Sequence, residues 1–388
     1  MAAATTSPAV AGGEKPGPLV HVAFNPFSTC FIAATATGLH VFSCADSLHR
    51  VLHWDDVAVC PCPADSGWKV VMAEMYNEAF AAVVFRRKKD GGSGGCVDKI
   101  CLWCVPNGRM FPMDKDLPFD VVRGLCLAGE YMLVAGDDRT VLYEIPYCGS
   151  SVKKVKAVET APNPLGAGAL VQPDSGARFV MVAPQKMKGM LQVHRLADDH
   201  VYVRAHRSAA AAFALSHDGR LLATAGSKGT LVRIFSTSDG KLLQEVRRGS
   251  GRANIYSIAF SFDSKWLVVS SDKGTIHVFR INVELASASS ESSSGHNATE
   301  APSAKTPQRS SSYMKGLLLP SYFTSERSLA QFHLREGVKY LVAFSIRPNI
   351  VIIVGMDGSF YRCQFDPENG GEMKQLQYTV FFEQLGEI

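Results

Sequence analysis

A chain of 388 residues, 46% hydrophobic and 20% charged, is globular, with length enough for one large core or two to three ordinary domains. No apolar run approaches the ~18 residues that span a bilayer, and ten cysteines in a chain of this size do not make a disulfide scaffold. The formal net charge is only +4, so where the charge is concentrated matters more than its total.

Met1 to Pro18 is rich in Ala, Thr, Gly and Pro. It has neither the basic start and apolar centre of a secretory signal nor the arginines of a transit peptide, and reads as a disordered leader. After it one unit recurs: an apolar strand, a short turn, a second strand, a polar turn and a third strand. Copies run over 20–44, 69–105, 122–145, 169–196, 212–237, 256–281 and 339–365. Seven copies, most of them spaced near the ~40–45 residues of a propeller blade, predict one all-β domain over 19–388, a seven-bladed β-propeller of WD-repeat-like four-stranded blades. No copy ends in Trp-Asp, so the prediction rests on spacing and pattern, and no sustained i, i+3, i+4 periodicity favours helices.

Cys101-Leu-Trp-Cys104 has the spacing of a zinc or redox pair. It lies in a run that reads as a strand, where positions three apart face opposite sides, and no second pair follows at a finger-like distance, although Cys60-Pro-Cys62 is present. Buried, reduced thiols in a reducing, cytosolic compartment are expected. Asn297-Ala-Thr299 matches a glycosylation acceptor, but nothing places the chain in the secretory pathway. Arg86 to Gly95 is a basic, glycine-rich hairpin loop, expected to be a flexible solvated turn.

The densest stretch is Ala205 to Arg280. Two similar hairpins, Leu221 to Phe235 and Trp266 to Phe279, each turn on Lys-Gly-Thr, and between them a strand from Lys241 to Val246 ends in Arg247-Arg248-Gly249. Side chains alternate along a strand, so the adjacent arginines should point opposite ways, one toward each hairpin. From Val203 to Arg280 there are 12 Lys/Arg against 5 Asp/Glu, so the rest of the chain is net acidic and the positive field is local. Arginine forks suit phosphate oxygens, and nearby Thr, Ser and His add donors. A solvated basic face on a repeat protein has the same composition. Beyond Ile281, residues 287–312 are Ser-rich and cannot fold alone, and they lead into an apolar cluster at 313–323. That cluster either packs back on the propeller or enters something apolar outside it.

Arg-Arg-Gly between two Lys-Gly-Thr hairpins resembles the PROPPIN (WIPI-like) family of autophagy β-propellers. Their hallmark is Phe- or Leu-Arg-Arg-Gly, and Val246 takes the first position here. The match is dense over 206–280 and continues through Met314-Lys-Gly-Leu317 and Ser328 to Leu334. The resemblance implies seven blades, no catalysis or cofactor, and two rim sites for phosphatidylinositol 3-phosphate and phosphatidylinositol 3,5-bisphosphate. It further implies a cytoplasmic protein that is peripheral on isolation, endosomal or vacuolar membranes. Its partners would include the large autophagy lipid-transfer protein of the isolation membrane. Carried over by position, the first site uses His206, Thr230 and Arg247, and the second uses Arg248, Ser271, Thr275 and His277, with Arg252 near either. Gly226 stands where the family usually has serine. Unless Ser227 substitutes, the lost donor costs about 1 kcal/mol, roughly fivefold in affinity. The insertion, at about 282–330, resembles the family's membrane-inserting loop, with Leu317, Leu318, Leu319, Tyr322 and Phe323 as its apolar tip and Arg327 where relatives often carry tryptophan. Histidines at the sites imply tighter binding at mildly acidic pH.

Three other classes make different demands on the sequence. A propeller scaffold binding acidic peptides would use the same basic rim without preferring 3-phosphorylated lipids. An enzyme would need acids or His ligands grouped around the channel, and the scattered Asp and Glu show no such spacing. Nucleic-acid binding would need aromatic residues interleaved with the basic ones, and that pattern is absent.

Overall fold

The computed structural model describes residues 17–36, 38–54, 67–89, 94–105, 108–113, 117–145, 151–173, 179–195, 199–283 and 325–382. Seven antiparallel sheets follow one another in chain order at 19–54, 69–112, 124–159, 169–204, 210–247, 255–333 and 340–380. They form the predicted seven-bladed propeller, with the first strand of each blade innermost. A blade is covered on both faces. Its second strand is therefore buried over most or all of its length, wholly so in Cys30–Thr35 and Leu221–Gly226, and reads as a largely apolar run.

The core is divided into seven clusters, one between each pair of neighbouring blades. Among the described residues no strand is exchanged between the first and last blades, and the ring closes there by packing. Phe31 of blade 1 stacks on Phe360 of blade 7 at 6.3 Å, and Phe381 meets Phe31 edge-on at 5.1 Å. Blades 5 and 6 each gain a short fifth strand. Glu326–Arg327 pairs in parallel with the outer strand of blade 5, and Gly371–Glu372 with that of blade 6. Most of the expected insertion lies outside the described residues, as do the leader as far as residue 16 and the apolar tip at Leu317, Leu318, Leu319, Tyr322 and Phe323.

Two local expectations meet different outcomes. Cys101 is buried in the blade 1–2 core and Cys104 is half-buried, and both are free thiols. Burial likewise pushes the Cys30 thiol up to about 11 and the Cys44 thiol to about 12, which leaves them unreactive near neutrality. Arg86, in contrast, is no part of a solvated turn. It lies in the strand Phe80–Lys88, and its Nε and Nη2 donate to the two Asp98 carboxylate oxygens at 2.7 Å each. Asp98 is fully enclosed and also accepts from the Val122 amide at 2.7 Å, while Arg86 donates to the Val122 carbonyl at 3.0 Å. Sequence gave no sign of this pair because the partner strand's register brings it together.

The Arg86–Asp98 pair ties blade 2 to the chain entering blade 3, and removing one partner of a buried pair strands the other charge. Asp98→Ala is expected to cost about 3–5 kcal/mol in urea unfolding. Arg123→Ala, which breaks the exposed pair with Asp137, should stay within about 1 kcal/mol. Equal effects of the two substitutions would contradict this assignment.

Candidate anion-binding clefts

The Lys-Gly-Thr repeats have a steric cause. Gly229 and Gly274 adopt φ of +62° and +66°. A Cβ at Gly229 would sit 2.0 Å from the Ala253 carbonyl oxygen, and one at Gly274 would sit 2.4 Å from that of Leu334. Each turn is pressed against the chain leaving its own blade, and the Ala253 amide donates to the Lys228 carbonyl at 3.1 Å. Blade 4 carries the same device at Lys188-Gly189, where φ is +76° and a Cβ would lie 1.9 Å from the His206 carbonyl oxygen. Three consecutive blades therefore present a lysine at equivalent turns.

Alternation sorts the side chains between two clefts. In the outer strand of blade 5, Leu242–Arg247, Val246 is buried in the core shared with blade 6. Glu245 and Arg247 take the opposite face, directly across from Arg233 and Leu231. Leu231 and Arg233 line a cavity of about 630 Å³ between blades 4 and 5. Arg247 thus belongs to the blade 4–5 cleft, and Arg248, one residue on, to the blade 5–6 side, as the alternation predicts.

In the first cleft, His206 and Thr230 line the cavity. His206 Nε2 shares a hydrogen bond with Thr224 Oγ1 at 3.0 Å, and burial, followed by the charge of Arg233, pushes its pKa down to about 4. Arg247 Nε donates to Ser325 Oγ at 3.2 Å, and Arg327 is its exposed partner in the parallel pairing. Ser227 does not line the cavity, while Gly226 and Ser208 do. A Cβ at Gly226 would lie 2.9 Å from Ser208 Oγ and 3.0 Å from His206 Cγ, so those side chains occupy the space a serine would need. Ser208, on the connection from blade 4, adds a second hydroxyl to that of Thr230 at this cavity.

In the second cleft, Ser271 and His277 are buried and Thr275 is half-buried, all on the strand face that packs toward blade 5. His277 Nδ1 shares a hydrogen bond with Ser328 Oγ at 3.1 Å. Burial, then Arg248 and His333, pushes its pKa down to about 4. Arg248 Nε donates to the Gly229 carbonyl at 2.9 Å and its Nη2 to that of Gly251, with Asp272 the carboxylate that favours its charge. Arg252 is exposed on the same connection.

Sequence reading missed Lys188, Arg207, Ser208 and Arg233, which also line the first cavity. Lys188 was visible as a third Lys-Gly turn. Arg233 occupies the ladder position that His277 holds in blade 6: each lies two residues before the phenylalanine of its strand, Phe235 or Phe279. Alignment on the Lys-Gly-Thr turns hides this, because the blade 5 strand is one residue longer there. Arg207 and Ser208 adjoin His206, but only the fold shows that they face the cavity.

A closed seven-bladed propeller with two basic clefts flanking one blade defines a class of β-propeller rather than an individual protein. The PROPPIN family model matches residues 163–380. Autophagy-related protein 18e of Arabidopsis thaliana is 34% identical over 94% of this chain and 88% of its own length. Autophagy-related protein 18 of Yarrowia lipolytica is 28% identical over 92% and 96%. Among solved structures, Kluyveromyces lactis Hsv2 superposes with a TM-score of 0.65 at 20% identity, covering 94% of this chain and 99% of that one. A complex of KlAtg21 with the coiled coil of AgAtg16 gives 0.66 at 18%, over 94% and 99%. The chain belongs to the PROPPIN family, whose relatives here are autophagy proteins.

Burial pushes both cleft histidines down to about 4, well below the mildly acidic range in which the sequence led them to be expected to gain charge. His194, outside the clefts, is likewise pushed down by burial to about 4. Against an ordinary value of 6.5, the unfolded chain takes up protons first on acidification. Stability should therefore be full above pH 6.5 and fall as pH drops toward 4. Thermal midpoints are expected to decline across that window, with a shallower slope for His194→Gln. A midpoint that rises on acidification would overturn the assignment.

Proposed function

We propose that the chain is a peripheral membrane effector in autophagy. It binds phosphatidylinositol 3-phosphate and phosphatidylinositol 3,5-bisphosphate through the two clefts and recruits autophagy machinery to the membranes that display them. The observation that carries this reading is the divergence of Arg247 and Arg248 into neighbouring clefts. Each cleft also holds an uncharged imidazole hydrogen-bonded to a neighbouring hydroxyl. Guanidinium groups supply the directional, charge-assisted contacts that a phosphate monoester needs.

The position of the insertion supports a third contact. Its ends meet at the outer edge between the clefts: Glu326 accepts from Gln244 Nε2 at 3.0 Å and from Asn282 Nδ2 at 3.3 Å. In this reading Leu317, Leu318, Leu319, Tyr322 and Phe323 of the insertion act as the membrane anchor. Individually weak contacts then sum, since each forms at high effective concentration once another has docked. Among the described residues no helix is long and apolar enough to cross a membrane. Protein partners are part of the same reading. They include the autophagy lipid-transfer protein, and a relative has been solved in complex with a coiled coil. The competing reading, a scaffold for acidic peptides, needs the basic rim but no lipid preference.

Liposome flotation separates the two. Wild type should float with vesicles containing phosphatidylinositol 3-phosphate and not with vesicles of equal charge made with phosphatidylserine, and Arg247→Thr/Arg248→Thr should lose at least tenfold in binding. Binding indifferent to the headgroup would move the assignment to the scaffold. Replacing Leu317, Leu318 and Leu319 by serine should weaken vesicle binding while leaving the affinity for a water-soluble short-chain lipid unchanged.

A further inference from the structure

We infer that the two clefts differ in ligand. The blade 4–5 cleft takes an inositol ring bearing two phosphate monoesters, the second held by Lys188 and Arg207, whereas the blade 5–6 cleft takes a ring bearing one. This rests on the two-cleft lipid reading and assigns to each cleft its own substrate class.

The clefts descend from one repeated pattern but carry different charge. Lys188, Arg207 and Lys228 enter the first cavity from three separate segments: the blade 4 turn, the connection between blades 4 and 5, and the blade 5 turn. All three are exposed, and none is ion-paired among the described residues. Arg233 adds a fourth cation there, held by Glu245 Oε2 at 2.7 Å and by the Ala205 carbonyl at 2.7 Å. Its counterpart in blade 6 is the neutral His277. Arg248 already donates to two backbone carbonyls, and a carboxylate, Asp272, faces it.

Geometry points the same way. A cavity of about 630 Å³ falls within the range of small-molecule sites. With Arg247 on the outer edge and Lys188 on the neighbouring blade, cations stand on both walls. A ring with phosphates on separated carbons can then be gripped from two sides. In the second cleft the hydroxyl of Ser271 and the imidazole of His277 are buried, which leaves Arg248, Lys273 and Thr275 at the mouth, with Arg252 exposed on the connection beside them.

The test is calorimetry on the full chain with short-chain, water-soluble phosphatidylinositol 3-phosphate and phosphatidylinositol 3,5-bisphosphate. Wild type should bind both and prefer the bisphosphate. Lys188→Ala/Arg207→Ala, which alters only exposed side chains, should lose roughly tenfold for the bisphosphate and little for the monophosphate. Arg248→Thr should halve the stoichiometry for the monophosphate while keeping the bisphosphate preference. Equal weakening of both lipids by the Lys188/Arg207 variant, or an unchanged preference, would overturn the inference while leaving the two-cleft reading in place. Failure of wild type to bind either lipid would sink that reading itself. A parallel arm with free inositol 1,3,5-trisphosphate and with vesicles identifies the source of the ligand. Vesicle binding that the free compound displaces only weakly assigns a lipid headgroup, and tight binding of the free compound without vesicle binding assigns a soluble inositol phosphate. Either supports the bisphosphate subsite provided the Lys188/Arg207 variant loses it.

Discussion

The two clefts depend on the period-two alternation of side chains at the end of one strand. Val246 is committed to the core between blades 5 and 6, so its neighbours in sequence have no freedom over which side they serve. Glu245 and Arg247 must face blade 4, and Arg248 must continue toward blade 6. A one-residue slip would expose Val246 and bury a guanidinium, both costly, so the hydrophobic core sets the aim of the charged groups. Two adjacent residues thereby face two neighbouring clefts without any special backbone geometry.

The surrounding electrostatics extend this arrangement. Burial strips charge from both cleft imidazoles, while the guanidinium groups keep theirs. Fixed cations then supply attraction independent of pH across the physiological range, and the histidines act as neutral hydrogen-bonding partners shaped by their neighbours: Thr224 for His206 and Ser328 for His277.

Much of this was legible in the sequence. The seven-fold recurrence, the Lys-Gly-Thr turns and the doubled arginine all lie within short windows, where periodicity and turn chemistry operate. What escaped was set by register or by packing between blades. Asp98 reaches Arg86 across a strand ladder, and Arg233 matches His277 only when strands are counted back from their shared phenylalanine. Ser208 replaces Ser227 at the cavity because the connection from blade 4 folds over Gly226, a placement no local pattern encodes. Lys188 is the exception: its Lys-Gly turn was in plain view, but it lacked the threonine that drew attention to the other two.

The short parallel strands that stitch blade 5 to the segment before Arg327, and blade 6 to residues 371–372, have a mechanical meaning. Tension on the end of the insertion nearer Ser325 enters the ring at Glu326–Arg327, beside Arg247 and ahead of the outer strand of blade 6. The backbone hydrogen bonds there are pulled along the strand direction, in shear, so the load is shared among them rather than met one bond at a time. The contact from Arg247 to Ser325 lies on that load path. A pull entering at Ser325 therefore meets the blade 4–5 cleft first, through Arg247, and the blade 5–6 cleft three residues later, through the contact of Ser328 with His277.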